Sequence, residues 1–247
     1  MNWKLPVALV LVLLMMALKP AAIAANQAEL IDQPWRVHWQ RSDALFASRP
    51  LATSEQREYF AQLELAVPAE AMLALLLDTE AVPSWVHHAT EAQVLQQFSG
   101  NQFLVYSKYS PPWPVSNRDL VTHSRHWHHH DGIWLQAEAR PQLRGQSQGY
   151  LRVRQMQTCW FAQRLGAQRS RLSYLGYIDD PGSVPNFIVN PAQAMVLNTT
   201  LDNLIAVIQG YDKAPPKAWD FAPPSQQGYC QRLQQVIASF NAANDFE

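Results

Sequence analysis

Charge is scarce in this chain. Only 16% of its 247 residues are charged, against 48% hydrophobic, and the formal net charge is −1. There is no basic tract, so the electrostatic footprint of a nucleic-acid-binding protein is missing. The apolar fraction excludes wholesale disorder and allows a sizeable core. Cysteine occurs only as Cys159 and Cys230. Spacing alone does not fix disulfide geometry, so one disulfide and two free buried thiols both stay open. No histidine follows His130. That matters because Gly145 to Gly149 (GQSQG) matches the G-x-S-x-G pattern of serine hydrolases. The pattern works on a strand-to-helix turn with a histidine later in the chain. Here the next segment, YLRVRQMQTCWF, reads as a strand, so Ser147 is expected in a polar hairpin loop. Internal repeats are also absent.

The first residues are not expected in the fold. Lys4 precedes an apolar run from Leu5 to Leu18, and Ala22-Ile23-Ala24 follows it. The run is shorter than the roughly 20 residues of a membrane-spanning helix, and the small residues suit signal peptidase. A signal peptide over residues 1–24 is therefore expected, with an uncleaved anchor as the alternative. No cysteine follows the run, which argues against a lipoprotein. The expected location is outside the cytoplasm, periplasmic or secreted, in an oxidising compartment.

Periodicity orders the remainder. Trp35 to Ser48 reads as two short strands around Ser42-Asp43, and Arg57 to Val67 as a third. Pro68 opens a helix rich in Ala, Leu and Glu that should run to about Pro83. From Ala92 a series of strands follows, separated by turn signals at Ser99-Gly100-Asn101, Asp131-Gly132 and the 145–149 loop. Such a series predicts an antiparallel meander. A loop, DDPGSVPNFIVNP, leads to a helix over Ala192 to Gln209 with Ala194, Leu197, Leu201, Leu204, Ile205 and Ile208 on one face. After a proline-rich connector, Gln226 to Phe240 reads as a terminal helix packed on the domain. The fold class is α+β, a curved antiparallel sheet covered by the long helix with a cavity between them.

Three blocks carry a family resemblance. VPAEAMLALLLDTEAVPSWVHHATEAQVLQ (67–96), WPVSNRDLV (113–121) and YLGYIDDPGSVPNFIVN (174–190) resemble, in the family's order, segments of the START (steroidogenic acute regulatory protein-related lipid transfer) domains. The exported arrangement resembles bacterial members. The resemblance implies a helix-grip fold with a hydrophobic tunnel, a START-like domain over residues 25–210 and an extension over 211–247. It implies non-covalent binding and transfer of a lipid or other hydrophobic molecule, with transient membrane contact, no cofactor and no nucleic acid. The closing helix and the 180–185 loop (Asp180, Pro181, Gly182, Pro185) would act as lid and gate. The proline-braced turn at 111–114, with Trp113 and Pro114, would fix strand register at the tunnel wall. Arg118 and Asp119, neighbours on a strand and so on opposite faces, would each make a separate ion pair or cap a turn.

Expected ligand contacts are Phe103, Val105 and Ser107 on one strand and Leu120, Thr122 and Ser124 on the next, with Leu197, Leu201, Leu204 and Ile205 on the helix. The sterol-carrying members place a buried ion pair where this sequence has Ser124 and Val105, so a differently polar ligand is implied. Two rivals remain. One is a cyclase- or hydrolase-like enzyme in the same cavity, for which Tyr106, Tyr109 and Asp119 are scattered candidates. The other is a metal site in the 123–130 histidine cluster, where His126 and His128 share a strand face. The cluster runs into a turn, which favours ordinary solvent-exposed histidines.

Overall fold

The computed structural model describes residues 34–51, 56–113, 115–179, 186–213 and 228–244. Residues 1–24, where a signal peptide is expected, Pro114, the 180–185 loop and most of the proline-rich connector lie outside the described residues. Among the described residues ten strands form one sheet: β1 (Arg36–Gln40), β2 (Ala44–Pro50), β3 (Arg57–Leu65), β4 (Ala89–Ser99), β5 (Gln102–Tyr109), β6 (Arg118–His129), β7 (Gly132–Ala139), β8 (Leu151–Arg152), β9 (Gln155–Gly166) and β10 (Arg169–Asp179). The order across the sheet is β1-β2-β3-β10-β9-β7-β6-β5-β4, with β8 beside β6. Two features depart from a meander. The β3–β10 pairing joins the two ends of the strand series, and β8 runs parallel to β6. The segment read as one strand from Tyr150 is broken at Val153-Arg154, because β8 pairs with β6 while β9 pairs with β7 and β10.

The β6–β7 hairpin shows why a glycine follows Asp131. A Cβ on Gly132 would sit 2.4 Å from the Ala162 carbonyl oxygen and 2.7 Å from the Phe161 ring. Only glycine allows β9 to approach the turn this closely.

Among the described residues, four α-helices flank the sheet: α1 (Ala69–Leu77), α2 (Val82–Trp85), α3 (Asn186–Ile208) and α4 (Tyr229–Asn244). The first helix is shorter than its composition predicts. Asp78 ends it: its N–H bonds back to Ala74 and Leu75, and its side chain accepts the Glu80 N–H at 3.1 Å. The chain then turns and re-enters a short helix around Pro83. The long helix, conversely, starts at Asn186 rather than Ala192, and Pro191 lies inside it. Pro191 is the sixth residue of the helix, past the unpartnered first turn, so its missing N–H removes one intrahelical hydrogen bond.

The two faces of the sheet carry different cores. On the concave face, Phe46, Leu63, Ile133, Ala162 and Leu172 pack with Met72 of α1, Trp85 of α2, and Leu201, Leu204 and Ile208 of α3. On the convex face, Phe60, Trp134, Phe161 and Leu175 pack with Tyr229, Leu233 and Val236 of α4. A disulfide between Cys159 on β9 and Cys230 fastens α4 to the sheet. Beside it Glu58, fully buried, accepts hydrogen bonds from Arg49 at 2.8 Å, Tyr229 at 2.7 Å and Arg232 at 3.0 Å. Three donors satisfy the carboxylate, which would otherwise be costly to bury.

Candidate ligand-binding groove

Register places the groove wall residue by residue. Side chains of paired residues share a face. His128, Ile133, Ala162 and Leu172 form one row across the concave face. The next row is His126, Leu135, Trp160, Tyr174, Ala61 and Phe46. Further along come Phe103, Ser124, Ala137, Thr158 and Gly176, then Val105, Thr122 and Ala139, then Ser107 and Leu120. Phe103, Val105, Ser107, Leu120, Thr122 and Ser124 therefore lie on one continuous face. None of the residues named in these rows carries a carboxylate, an ammonium or a guanidinium; beyond Leu120 the same face of β6 carries the buried Arg118, which donates to the Ser116 carbonyl. Val105 stands opposite Thr122 and is only diagonal to Ser124.

Gly176 opens this wall. A Cβ there would meet the Tyr174 hydroxyl at 2.2 Å, so the missing side chain leaves room for the Tyr174 ring to lie along its own strand. That ring packs on Trp160 at 4.4 Å, and Trp160 meets Trp85 edge-on at 6.4 Å.

The opposite wall is α3. Leu201 and Leu204 are buried in the concave core, and Leu197 and Ile205 pack against it. Three polar ties hold the helix down. The Tyr59 hydroxyl donates to the Asn190 carbonyl at 3.0 Å, the Trp39 indole N–H donates to Asn198 at 2.6 Å, and the His87 N–H donates to Thr200 at 3.1 Å.

The histidine cluster divides in two, which corrects its reading as an exposed turn. The strand continues to His129, so only His129 and His130 are exposed, and each offers a ligand atom within 4.8 Å of one on Asp131. His126 is 0% exposed. It stacks on Phe103 at 6.1 Å and meets His128 edge-on at 6.3 Å. Burial first, and His128 second, push its ring down to about 4, so it is neutral at physiological pH.

Arg118 and Asp119 point to opposite faces. Asp119 is on the outer face, fully buried under the 141–150 segment. It accepts two bonds from Arg152, at 2.8 and 2.9 Å, one from the Ser147 N–H at 3.0 Å and one from the Tyr106 hydroxyl at 3.3 Å. Burial alone would raise its carboxyl, but these bonds, Arg152 first, hold it below the usual carboxylate range. Ser147 is thus a loop residue hydrogen-bonded to Tyr106, with no histidine beside it among the described contacts. Tyr106 and Asp119 face away from the groove, so they form no dyad inside it. Tyr109 donates to Ser107 at 3.2 Å.

A separate, shallow depression of about 290 Å³ lies where α1 and the end of α3 meet, lined by Asp78, Glu80, Tyr211 and Lys213 among others. Its lysine is engaged by Asp78 at 2.6 Å and Glu80 at 3.6 Å.

A curved antiparallel sheet closed by one long helix over an apolar face defines a helix-grip protein. The chain belongs to the START family: the model of the START domain matches residues 52–204. It is 23% identical over 193 residues to an uncharacterized protein of Pseudomonas aeruginosa, covering 78% of this chain and 94% of that protein. It is 27% identical over 126 residues to START domain-containing protein 10 of Mus musculus, covering 50% of this chain but only 43% of that protein. Among solved structures, a STAR-related lipid transfer protein fragment from Xanthomonas axonopodis matches with a TM-score of 0.65 at 23% identity, over 71% of this chain and 98% of that one. Human STARD10 matches with a TM-score of 0.65 at 18% identity, over 78% and 80%. These likenesses confirm the helix-grip fold.

Proposed function

We propose that this protein binds a lipid or other hydrophobic molecule non-covalently in the groove between the concave sheet face and α3, and transfers it between surfaces. The observation that carries this reading is the composition of the groove wall: rows of apolar and small neutral side chains through Phe103, Val105, Thr122 and Ser124, with the buried Arg118 at the end of the β6 face, under a helix whose apolar face covers them. Burying apolar surface contributes about 25 cal/mol per Å², enough for useful affinity without ionic contacts. Phe103, Val105, Ser107, Leu120, Thr122 and Ser124 are the contacts on the sheet, and Leu197, Leu201, Leu204 and Ile205 those on the helix. The family's lipid transfer members support the same reading.

Delivery takes place at a membrane, with α3 and the 180–185 loop opening. The exposure of Trp113 supports this: it is 92% exposed, on the turn between β5 and β6 at the sheet end where β10 leads to α3. Tryptophan is well suited to the water–lipid boundary. Export through the 1–24 segment fits the disulfide, which belongs to an oxidising compartment.

The test is native mass spectrometry of the protein purified from its own compartment, followed by organic extraction and by uptake of labelled lipid from phosphatidylcholine vesicles. A stoichiometric hydrophobic molecule is the expected result. An empty protein that takes up no labelled lipid would overturn the reading.

A further inference from the structure

Two polar side chains with buried polar atoms face the groove with no hydrogen-bond partner among the described residues. Both ring nitrogens of His126 are buried and unpaired, and so are both the oxygen and the nitrogen of the Gln193 amide. They come from opposite walls. His126 stands in the row with Leu135 and Trp160. Gln193 lies four and eight residues before Leu197 and Leu201 on α3, on the face turned to the sheet. Buried polar groups are nearly always satisfied, and leaving a whole donor and acceptor set unmade is strongly unfavourable. Two such groups across one groove mark a place where a partner belongs.

Their chemistry restricts that partner. A neutral imidazole has one donor and one acceptor, and a primary amide has both. Around His126 the wall offers the Phe103 ring, His128 and the hydroxyls of Thr122, Ser124 and Thr158. No carboxylate or cation is among these neighbours of His126 to balance a charged headgroup, the buried Arg118 lying eight residues away along β6, and an unpaired charge is costly to bury. A group that donates and accepts while staying uncharged is complementary: an alcohol hydroxyl or an amide.

We propose that His126 and Gln193 form a polar subsite that takes the hydroxyl or amide of an uncharged amphiphile. This rests on the hydrophobic-ligand reading and narrows it. The subsite orients the ligand, and the apolar rows supply most of the affinity.

The test compares three probes of the same chain length: oleyl alcohol, oleamide and oleyl methyl ether. Binding to the delipidated, disulfide-intact protein is measured by displacement of a fluorescent fatty probe. The alcohol and the amide are expected to bind about tenfold more tightly than the ether. His126→Phe keeps the ring stacked on Phe103 but removes both nitrogens. Gln193→Leu removes the amide on the other wall and carries the test by itself where His126→Phe does not fold. Each variant is expected to lose most of the preference for the alcohol and the amide over the ether. Equal affinity for alcohol and ether in the unaltered protein would overturn the subsite while leaving the hydrophobic-ligand reading intact. Folded variants that keep the full preference would overturn it too. Binding of none of the three would overturn the underlying reading and the subsite together.

Discussion

Arg152 and Asp119 form a bidentate pair in which every N–H of the guanidinium is engaged. Nε and one Nη2 hydrogen go to the two carboxylate oxygens, at 2.8 and 2.9 Å. The remaining three reach the carbonyls of Pro141 and Arg144 at 2.7 Å and Gly145 at 3.0 Å. One side chain thereby pins the whole 141–150 segment onto β6, behind the strand whose other face lines the groove. Arg152→Ala would leave Asp119 buried without its cation and should cost about 3–5 kcal/mol. Arg152→Lys keeps the charge but has only three donors and no planar fork, so it should recover only part of that loss. Urea denaturation of the two variants checks the order.

Ser124 sits mid-strand on the concave face, half-buried. Ser124→Trp should project an indole into the groove and abolish lipid uptake from vesicles, while the circular dichroism spectrum stays unchanged. Gln96→Trp, exposed on the edge strand opposite the outward-facing Leu104, is the control and should bind normally. Uptake retained by Ser124→Trp would place the ligand elsewhere.

The Tyr59–Asn190 bond ties the first turns of α3 to β3. Tyr59→Phe removes that bond and little else, a loss of about 1 kcal/mol. If opening of α3 is the gating step, hydrogen exchange in its first half and lipid transfer between vesicles should both quicken about fivefold. Faster exchange with unchanged transfer would show that another step limits delivery.

Acid should weaken the fold through His126. Its folded value is about 4, below the ordinary 6.5, so protonation favours the unfolded chain. The stability it contributes is complete above pH 6.5 and is lost as pH falls from 6.5 towards 4. His38, His88 and His123, all depressed chiefly by burial, act in the same direction as pH falls below 6.5. Asp119 contributes only at lower pH, where its carboxyl protonates. His126→Phe should remove roughly 2 kcal/mol of this pH dependence. Melting temperatures of both proteins between pH 7 and pH 4 read the difference.

Local patterns in the sequence marked out most of the strands and the apolar face of α3, because alternation and three-to-four spacing are local signals. The groove wall at Phe103, Val105, Thr122 and Ser124 was legible for the same reason once adjacent strands were paired. What escaped depends on distant partners. Nothing near Asp78 in sequence shows that Tyr211 donates to it across the fold. β8 exists because β6 lies beside it, not because Leu151-Arg152 alternates differently. His126 looked like a turn histidine because HWHHHDG ends in Asp-Gly. Its burial comes from Phe103 and the curvature of the sheet. Gln193 could have been found, since it falls four residues before Leu197 on the same face.

The disulfide has a consequence for α3, which it does not touch. Cys159 and Cys230 are 71 residues apart, and the chain between them holds β10 and the whole of α3. That stretch is a closed covalent ring anchored to the middle of the sheet. Should α3 lift away, it leaves as the slack of a loop with both ends fixed, not as a fraying tail. The volume it can explore is bounded by the ring, which limits the entropy gained on opening and shortens the search for the closed position. Reduction would convert the same helix into part of a long free end, so the oxidation state of two cysteines on the convex side sets how far the roof on the concave side can stray.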